Sequence, residues 1–394
     1  MEIKYNSIFE AKRLREFSRM MKKKLEFFEA IAVLVGTIIG AGVLGIPYVV
    51  YQAGFLTGMA LMVVITLAVM LVYLHLGEIV LSTKKKHQLT GYAEKYLGKW
   101  GKYLMFGSVV FGFYGALLAY LIGEGEVLAA LTGGNPFVYS LIFFAFASLL
   151  VYLGLRVIKE TEFLLTMVIL FIVVVIAFWG LKDLNWTNLL EFSPAKLLIP
   201  YGVIFFSIGG ASAMPQMREV LAGKEKLLKK SIIIGTGIPF IVYLIFTFIV
   251  IGVTGANVTE VATIGLGQAM GRSMLIFANL FAFFTMATSF LTLGLALKNT
   301  YQYDFKLKKN LAWLLTVSLP LIVFLLGLNN FVRVMGTVGA IGGGLEGMLI
   351  GLMYLRVKQN RDRQPEYEFS KSPFIIFLLS LIFMGGIIYT IWTL

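Results

Sequence analysis

Two runs of small residues in an otherwise apolar chain carry the chemistry. They are Gly36-Thr37-Ile38-Ile39-Gly40-Ala41-Gly42-Val43-Leu44-Gly45-Ile46-Pro47 and Phe205-Phe206-Ser207-Ile208-Gly209-Gly210-Ala211-Ser212-Ala213-Met214-Pro215. In each, glycine and proline fall where a membrane helix should be most regular. Backbone freed from its helix cannot face lipid, because an unpaired N–H or C=O in hydrocarbon is costly, so it must be buried in protein or line a polar cavity. Such backbone is itself a binding group. A second resource is a set of acids near or inside apolar segments, Glu124, Glu126 and Glu346, which at membrane depth are proton-coupling candidates. His75 and Glu78 lie three apart and share a helix face as a local polar pair. His87 sits in a basic loop; neither histidine fits H-E-x-x-H, so a zinc enzyme is not expected. With no cysteine in the chain, there is no disulfide framework and no thiolate metal site.

The elements that must position these groups follow from composition. Hydrophobic residues make up 59% of 394 and charged residues 14%, which excludes an ordinary soluble domain and points to an all-α, multi-span membrane protein. Apolar segments are expected at about 27–52, 55–81, 102–130, 136–157, 163–182, 197–220, 231–255, 267–297, 311–328, 332–355 and 373–393, eleven spans in all. The stretch 1–26 is too charged for a signal-peptide apolar region and reads as a basic cytoplasmic tail. The net charge of +13 does not mark nucleic acid as a partner, because the basic residues occupy short loops between spans rather than one soluble face. Of the 34 Lys and Arg residues, all except Lys182, Lys196, Arg272 and Arg333 fall in the tail or in every second loop. By the positive-inside rule the N-terminus is cytoplasmic and the C-terminus extracellular, in a plasma-membrane protein.

The two breaks stand in corresponding places. Gly42 precedes Pro47 by five residues and Gly210 precedes Pro215 by five, each at the start of a five-span block. Five is odd, so the blocks are inverted: 27–182 with span one broken near 40–42, and 197–355 with span six broken near 207–212, leaving 373–393 as an accessory eleventh helix. Glycine in membrane helices often serves close packing alone. Matched Gly/Pro interruptions in two inverted halves instead point to the midplane binding site of a secondary transporter.

On these residues the chain resembles the amino-acid/auxin permease and hydroxy/aromatic amino acid permease branch of the amino acid–polyamine–organocation superfamily. The motifs are Gly36 to Pro47, the Phe206-to-Arg218 stretch, and Ala287-Thr288-Ser289-Phe290-Leu291 in span eight. The resemblance implies a LeuT-type 5+5 inverted-repeat fold with an eleventh helix and a small-molecule substrate, an amino acid. No cofactor is implied beyond a coupling ion, and oligomeric state is left open.

An α-amino acid needs donors for its carboxylate, acceptors for its ammonium and a side-chain pocket. The N-terminus of the half-helix beginning after the first break supplies N–H groups and a positive dipole end, assigned to the amides of Ala41, Gly42 and Val43. The half-helix ending at the second break exposes carbonyls, assigned to Phe206, Ser207 and Gly209, with those of Thr37 and Ile38 contributing. Glycines such as Gly40 and Gly42 let a ligand reach the backbone. The resemblance puts the side-chain pocket between spans one, three, six and eight, where Ile38, Tyr114, Tyr120, Phe206 and Phe284 are candidates; ordinary core packing is the competing role for each aromatic.

The resemblance also implies a cation site formed by the carbonyls of Gly36, Ile39 and Thr285 with the hydroxyls of Thr288 and Ser289, five hard oxygens suited to Na⁺. Thr and Ser bonding back to their own helix is the plainer reading. Some relatives are proton-driven, and some superfamily members replace the ion with a lysine on span five. That lysine is missing between Phe163 and Trp179, which favours Na⁺ over H⁺ and leaves Glu124, Glu126 and Glu346 as the proton carriers if coupling is to H⁺. Uptake of a neutral amino acid, aromatic or branched, by symport is expected, and the resemblance implies that spans one, two, six and seven rock against three, four, eight and nine. The rival is a transporter-like sensor that binds without moving its ligand. A channel lacks its filter here and a membrane enzyme lacks its nucleophile–base pair.

Overall fold

A computed structural model describes residues 25–154, 158–303, 305–369 and 372–393. The basic tail before Leu25, together with Arg156 and Lys371, lies outside the described residues. Those described are helical, without strands. Helix α1 (Leu25–Ile38) is followed by α2 (Gly42–Ala53), and the pair is bent by 56° across the break. Helices α3 (Phe55–Leu81), α4 (Leu89–Thr132), α5 (Pro136–Leu153) and α6 (Ile158–Gly180) complete the first half of the chain. The second half contains α7 (Tyr201–Ser207), α8 (Ala213–Val220), α9 (Leu228–Thr254), α10 (Ala262–Met270), α11 (Arg272–Tyr303) and α12 (Lys309–Leu325). After these come α13 (Phe331–Val338), a π-helical turn at Gly339–Gly343, α14 (Gly344–Asn360) and α15 (Pro373–Thr393).

Among the described residues, seven helices are long and apolar enough to cross a bilayer, or eight when the bent α1–α2 pair is one span. The shorter α12 is an apolar helix of 17 residues, and α7 and α8 are half-helices of 7 and 8 residues separated by 208–212. Outward-facing Phe146, Phe171, Phe178, Leu319 and Phe377 are exposed. A soluble domain does not carry such a belt; here lipid covers it.

Three segments differ from the sequence expectation. The span expected at 267–297 is two helices, because Gly271 takes φ 93° and lets α10 turn sharply into α11. The expected third span, α4, begins at Leu89 instead of near 102, with Gly98 at φ 78° marking a kink after its first turns. The tenth span is not one regular helix. Its wide turn follows from close backbone approach: a Cβ on Gly339 would lie 2.0 Å from the Gly202 carbonyl oxygen, and one on Gly202 would lie 2.1 Å from that of Gly336. Only glycine lets α7 and the α13–α14 junction meet this closely.

The charged loops gather on one face. Lys224 pairs with Glu26, Lys86 with Glu219, and Lys95 with Asp362. Arg363 reaches both Glu366 and Glu225, while Arg361 and Lys358 share Glu368. Hence the start of α1, the α3–α4 loop, the α8–α9 loop and the α14–α15 loop are neighbours. His75 and Glu78 do not bond each other. His75 stacks on Tyr354 at 4.1 Å, and Glu78 accepts from the Tyr354 hydroxyl (2.8 Å) and the Phe369 amide (2.6 Å), so both fasten α3 to α14 and the segment after it.

Candidate functional site between the broken helices

The two breaks face each other, and tyrosines tie them together. Tyr243 of α9 is fully buried, and its hydroxyl lies 2.8 Å from the Ile38 carbonyl and 2.9 Å from the Ser207 carbonyl, the last residues of the two interrupted half-helices. One proton is shared between two orphan acceptors, which a broken helix end must satisfy. Tyr73 of α3 donates to the Ile208 carbonyl at 2.6 Å. The breaks are thus fixed structure, held by α3 and α9. Gly42, opening α2, packs on the second break so closely that a Cβ would lie 2.4 Å from Ser207 Oγ.

A cavity of about 160 Å³ opens at the junction. At about 10–15 Å³ per water by this measure, it has room for roughly ten waters, the bulk of one amino acid. Its polar rim is the break itself: Thr37, Gly40, Ala41 and Gly42 from one side, Ser207 and Gly209 to Ser212 from the other. Its walls are largely apolar, from Val109, Phe113 and Ala116 of α4, Phe205 and Phe206 of α7, and Val338. The Leu44 amide already bonds the Ala41 carbonyl at 2.9 Å, which leaves the amides of Gly42 and Val43 at the start of α2 to meet an anion, while the carbonyls ending α7 can meet a cation. Those carbonyls are partly engaged: Phe206 oxygen accepts the Gly209 amide at 3.1 Å and Ser207 oxygen meets Tyr243, each keeping a second lone pair.

Of the candidate substrate residues, Thr37, Ile38, Gly40, Ala41, Gly42, Tyr120, Phe206, Ser207 and Gly209 line this cavity. Val43 does not; its side chain is packed in the core. Tyr114 and Phe284 are corrections to the expected pocket. The Tyr114 hydroxyl is engaged with the Tyr301 hydroxyl (2.8 Å) and the Leu315 carbonyl (2.9 Å), on the far side of α4. Phe284 is 59% exposed on the outer face of α11. Both are helix-phase errors: the right helix, the wrong face.

The oxygens considered for a cation are mixed in character. Thr288 Oγ1 donates to the Phe284 carbonyl at 2.7 Å, the ordinary helix back-bond, which leaves its lone pairs for an ion. The Thr285 hydroxyl is buried with no protein partner. Ser289 Oγ and the Tyr120 hydroxyl both crowd Gly40, where a Cβ would lie 3.5 and 3.3 Å from them, so α11 and α4 meet the first break there. Gly36 and Ile39 flank that point on α1 and the break, and the Ile39 amide bonds the Val35 carbonyl at 2.8 Å.

The three acids separate. Glu124 is fully buried, near Ala287 of α11, and neither carboxyl oxygen has a protein partner. Glu126 lies one helix face away near Glu260, outside the cavity. Glu346 lines the cavity itself. Sequence reasoning missed Tyr73, Tyr243, Ser108 and Phe113. The first two carried a signal: each of the helices that follow a broken span, α3 and α9, has a single tyrosine.

A model of the tryptophan/tyrosine permease family matches residues 23–393. The chain belongs to that family. It is similar to Glutamine transporter 2 of Aliivibrio fischeri, 25% identical over 334 residues covering 80% of this chain and 85% of that one. It is also similar to Tyrosine-specific transport system 1 of Haemophilus influenzae, 27% identical over 330 residues covering 78% and 82%. Among solved structures, MhsT in complex with L-phenylalanine matches with TM-score 0.62 and 18% identity, over 93% of this chain and 98% of that one. The manganese transporter of Eremococcus coleocola matches with TM-score 0.64 and 14% identity, over 93% and 87%. The permease has the LeuT fold of these neighbours, is a multi-pass membrane transporter of amino acids, and is not an enzyme.

Proposed function

We propose that this permease takes up a neutral amino acid by Na⁺ symport, alternating access around the cavity between its broken helices. The observation that carries the reading is the cavity's make-up: an N-terminal half-helix end, a C-terminal half-helix end and an apolar wall enclose one amino-acid-sized space. The α2 amides of Ala41 to Val43 hold the carboxylate, and the carbonyls ending α1 and α7 hold the ammonium. Relatives named for glutamine and tyrosine transport support a neutral substrate. The chain is read as eleven spans in two inverted five-span repeats plus α15, N-terminus cytoplasmic, in the plasma membrane, within the amino acid–polyamine–organocation superfamily.

Coupling follows from differential affinity. An ion bound by the oxygens of Gly36, Ile39, Thr285, Thr288 and Ser289 shifts the equilibrium only as far as it favours the outward-open, substrate-receptive state. A membrane potential adds about 2.3 kcal/mol per charge per 100 mV to inward movement. A proton reading has one specific support, the partnerless carboxyl of Glu124 beside α11. Binding of radiolabelled amino acids to purified protein, with and without Na⁺, tests the choice. Na⁺-dependent affinity lost in Thr288→Ala supports the ion site. Affinity indifferent to Na⁺ but lost in Glu124→Gln transfers coupling to the proton.

A further inference from the structure

The carbonyls at the two breaks are already in use. Tyr243 donates to those of Ile38 and Ser207, Tyr73 to that of Ile208, and the Gly209 amide to that of Phe206. Each keeps one lone pair. A primary ammonium brings three N–H donors and a full positive charge, and half-engaged carbonyl dipoles return no net charge to meet it. The cavity contains one group that does. Among the residues lining it, Glu346 is the single acid, and no lysine, arginine or histidine lines it.

Helix register puts Glu346 beside the second break. The π-helical turn and α7 run the same way where they touch: Gly202 meets Gly336, while a Cβ on Gly339 would lie 2.5 Å from the Phe206 amide nitrogen and one on Gly343 would overlap the Phe205 ring. Glu346 follows Gly343 by three residues and shares its face of α14. One turn on from the contact with Phe205, it stands where α7 has ended and 208–212 begins. Helical side chains lean toward the N-terminus of their helix, here back toward the end of α7. Tyr73, bonded to the Ile208 carbonyl of that break, lies within electrostatic reach of Glu346. The Ser108–Gly342 bond, 2.7 Å, fixes the same turn to α4. Glu346 itself makes no hydrogen bond or ion pair with the described residues. A carboxyl at membrane depth without a protein partner calls for a ligand.

We propose that Glu346 is the counter-charge for the substrate ammonium. The free lone pairs of the half-helix carbonyls orient the head group, and the carboxylate of α14 neutralises it. A charge-assisted N–H···O bond is roughly twice as strong as one between neutral groups, so this contact contributes more to holding the amine than any single carbonyl does. It also excludes. A molecule with the carboxylate and side chain but no amino group would set an anion beside an unpaired Glu346, in surroundings where like charges repel strongly. The proposal rests on the transport reading and deepens it: the amides of α2 read the carboxylate, and Glu346 with the second break reads the amine, each independently of the side chain.

The test is competition binding on the full-length protein in detergent. A panel of labelled amino acids finds the tightest ligand, which is then displaced by itself, by its analogue lacking the amino group and by its analogue lacking the carboxylate. The unmodified protein should bind the deamino analogue far more weakly than the amino acid. Glu346→Gln, of nearly the same shape, should narrow that gap by about 10- to 100-fold, the worth of one hydrogen bond to a charged group, and leave the gap to the decarboxylated amine unchanged. Glu346→Asp, which keeps the charge, should narrow it less. Because each readout is a ratio of affinities, partial loss of folded protein does not move it. An equal loss for the amino acid and its deamino analogue in Glu346→Gln overturns the proposal, since a merely structural role weakens both. Unchanged affinities throughout overturn it too, as does a change confined to the Na⁺ or pH dependence of binding, which would assign the residue to the coupling ion. Absence of binding by every amino acid in the unmodified protein contradicts the transport reading instead.

Discussion

Gly42 has no space for a side chain, since its Cβ would lie 2.4 Å from Ser207 Oγ and 2.6 Å from Ser207 Cα. One methyl group there pushes the start of α2 away from the end of α7, separating the donors and acceptors that the substrate bridges. Gly42→Ala is expected to lower uptake on the order of 100-fold, the scale of an ångström-sized misplacement in a binding constellation, with the protein still folded by size-exclusion chromatography. Tyr243→Phe removes the hydroxyl that serves the Ile38 and Ser207 carbonyls together. Leaving buried acceptors unmet costs about 1–3 kcal/mol, so its thermal midpoint in detergent should fall measurably. The residue types at the breaks were legible because glycine and proline act through backbone geometry, which sequence states directly. Tyr114 and Phe284 were misplaced because a span hydrophobic on every side has no moment to set its phase: the lipid-facing and cavity-facing sides of α4 and α11 are equally apolar.

Among the elements, the helix interruptions at 39–41 and 208–212 coincide with the two Gly/Pro runs. The all-helical architecture was legible too, from hydropathy alone. The π-helical turn at Gly339–Gly343 was not, because its cause is a long-range approach to Gly202 that no local pattern records. Nor was the division of 262–303 into two helices, which depends on one φ angle at Gly271. The segment from Arg361 to Phe369 clasps the end of α3: Tyr367 donates to the Leu74 carbonyl at 2.8 Å and Arg363 to the Leu81 carbonyl at 2.7 Å. Hydrogen bonding from Lys95 holds the Asp362 carboxyl below its ordinary value, and Arg361 does the same for Glu368. A carboxyl lowered on folding adds stability that is present above its unfolded value, about 4, and is lost as pH falls through the lower folded value. Acidification below about pH 4 should therefore release this segment, seen as lower amide protection factors across 361–369, after correction for the intrinsic pH dependence of exchange, with those of α9 unchanged; equal protection factors at pH 3 and pH 6 would contradict the account.

At the scale of the molecule, ion pairs gather four basic loops on one face while Leu328 is exposed between α12 and α13. The chain has no cysteine, so single-cysteine variants report sidedness against a clean background. In intact cells, Leu328→Cys is expected to react with a membrane-impermeant maleimide and Lys86→Cys is not; the reverse pattern would invert the orientation. The measurement that tests the central claim most directly is uptake of labelled amino acids into proteoliposomes under an imposed inward Na⁺ gradient. The account predicts accumulation above the equilibrium level, collapsed by a Na⁺ ionophore and abolished in Gly42→Ala. Binding of the same amino acids without accumulation under either a Na⁺ or a proton gradient would contradict it.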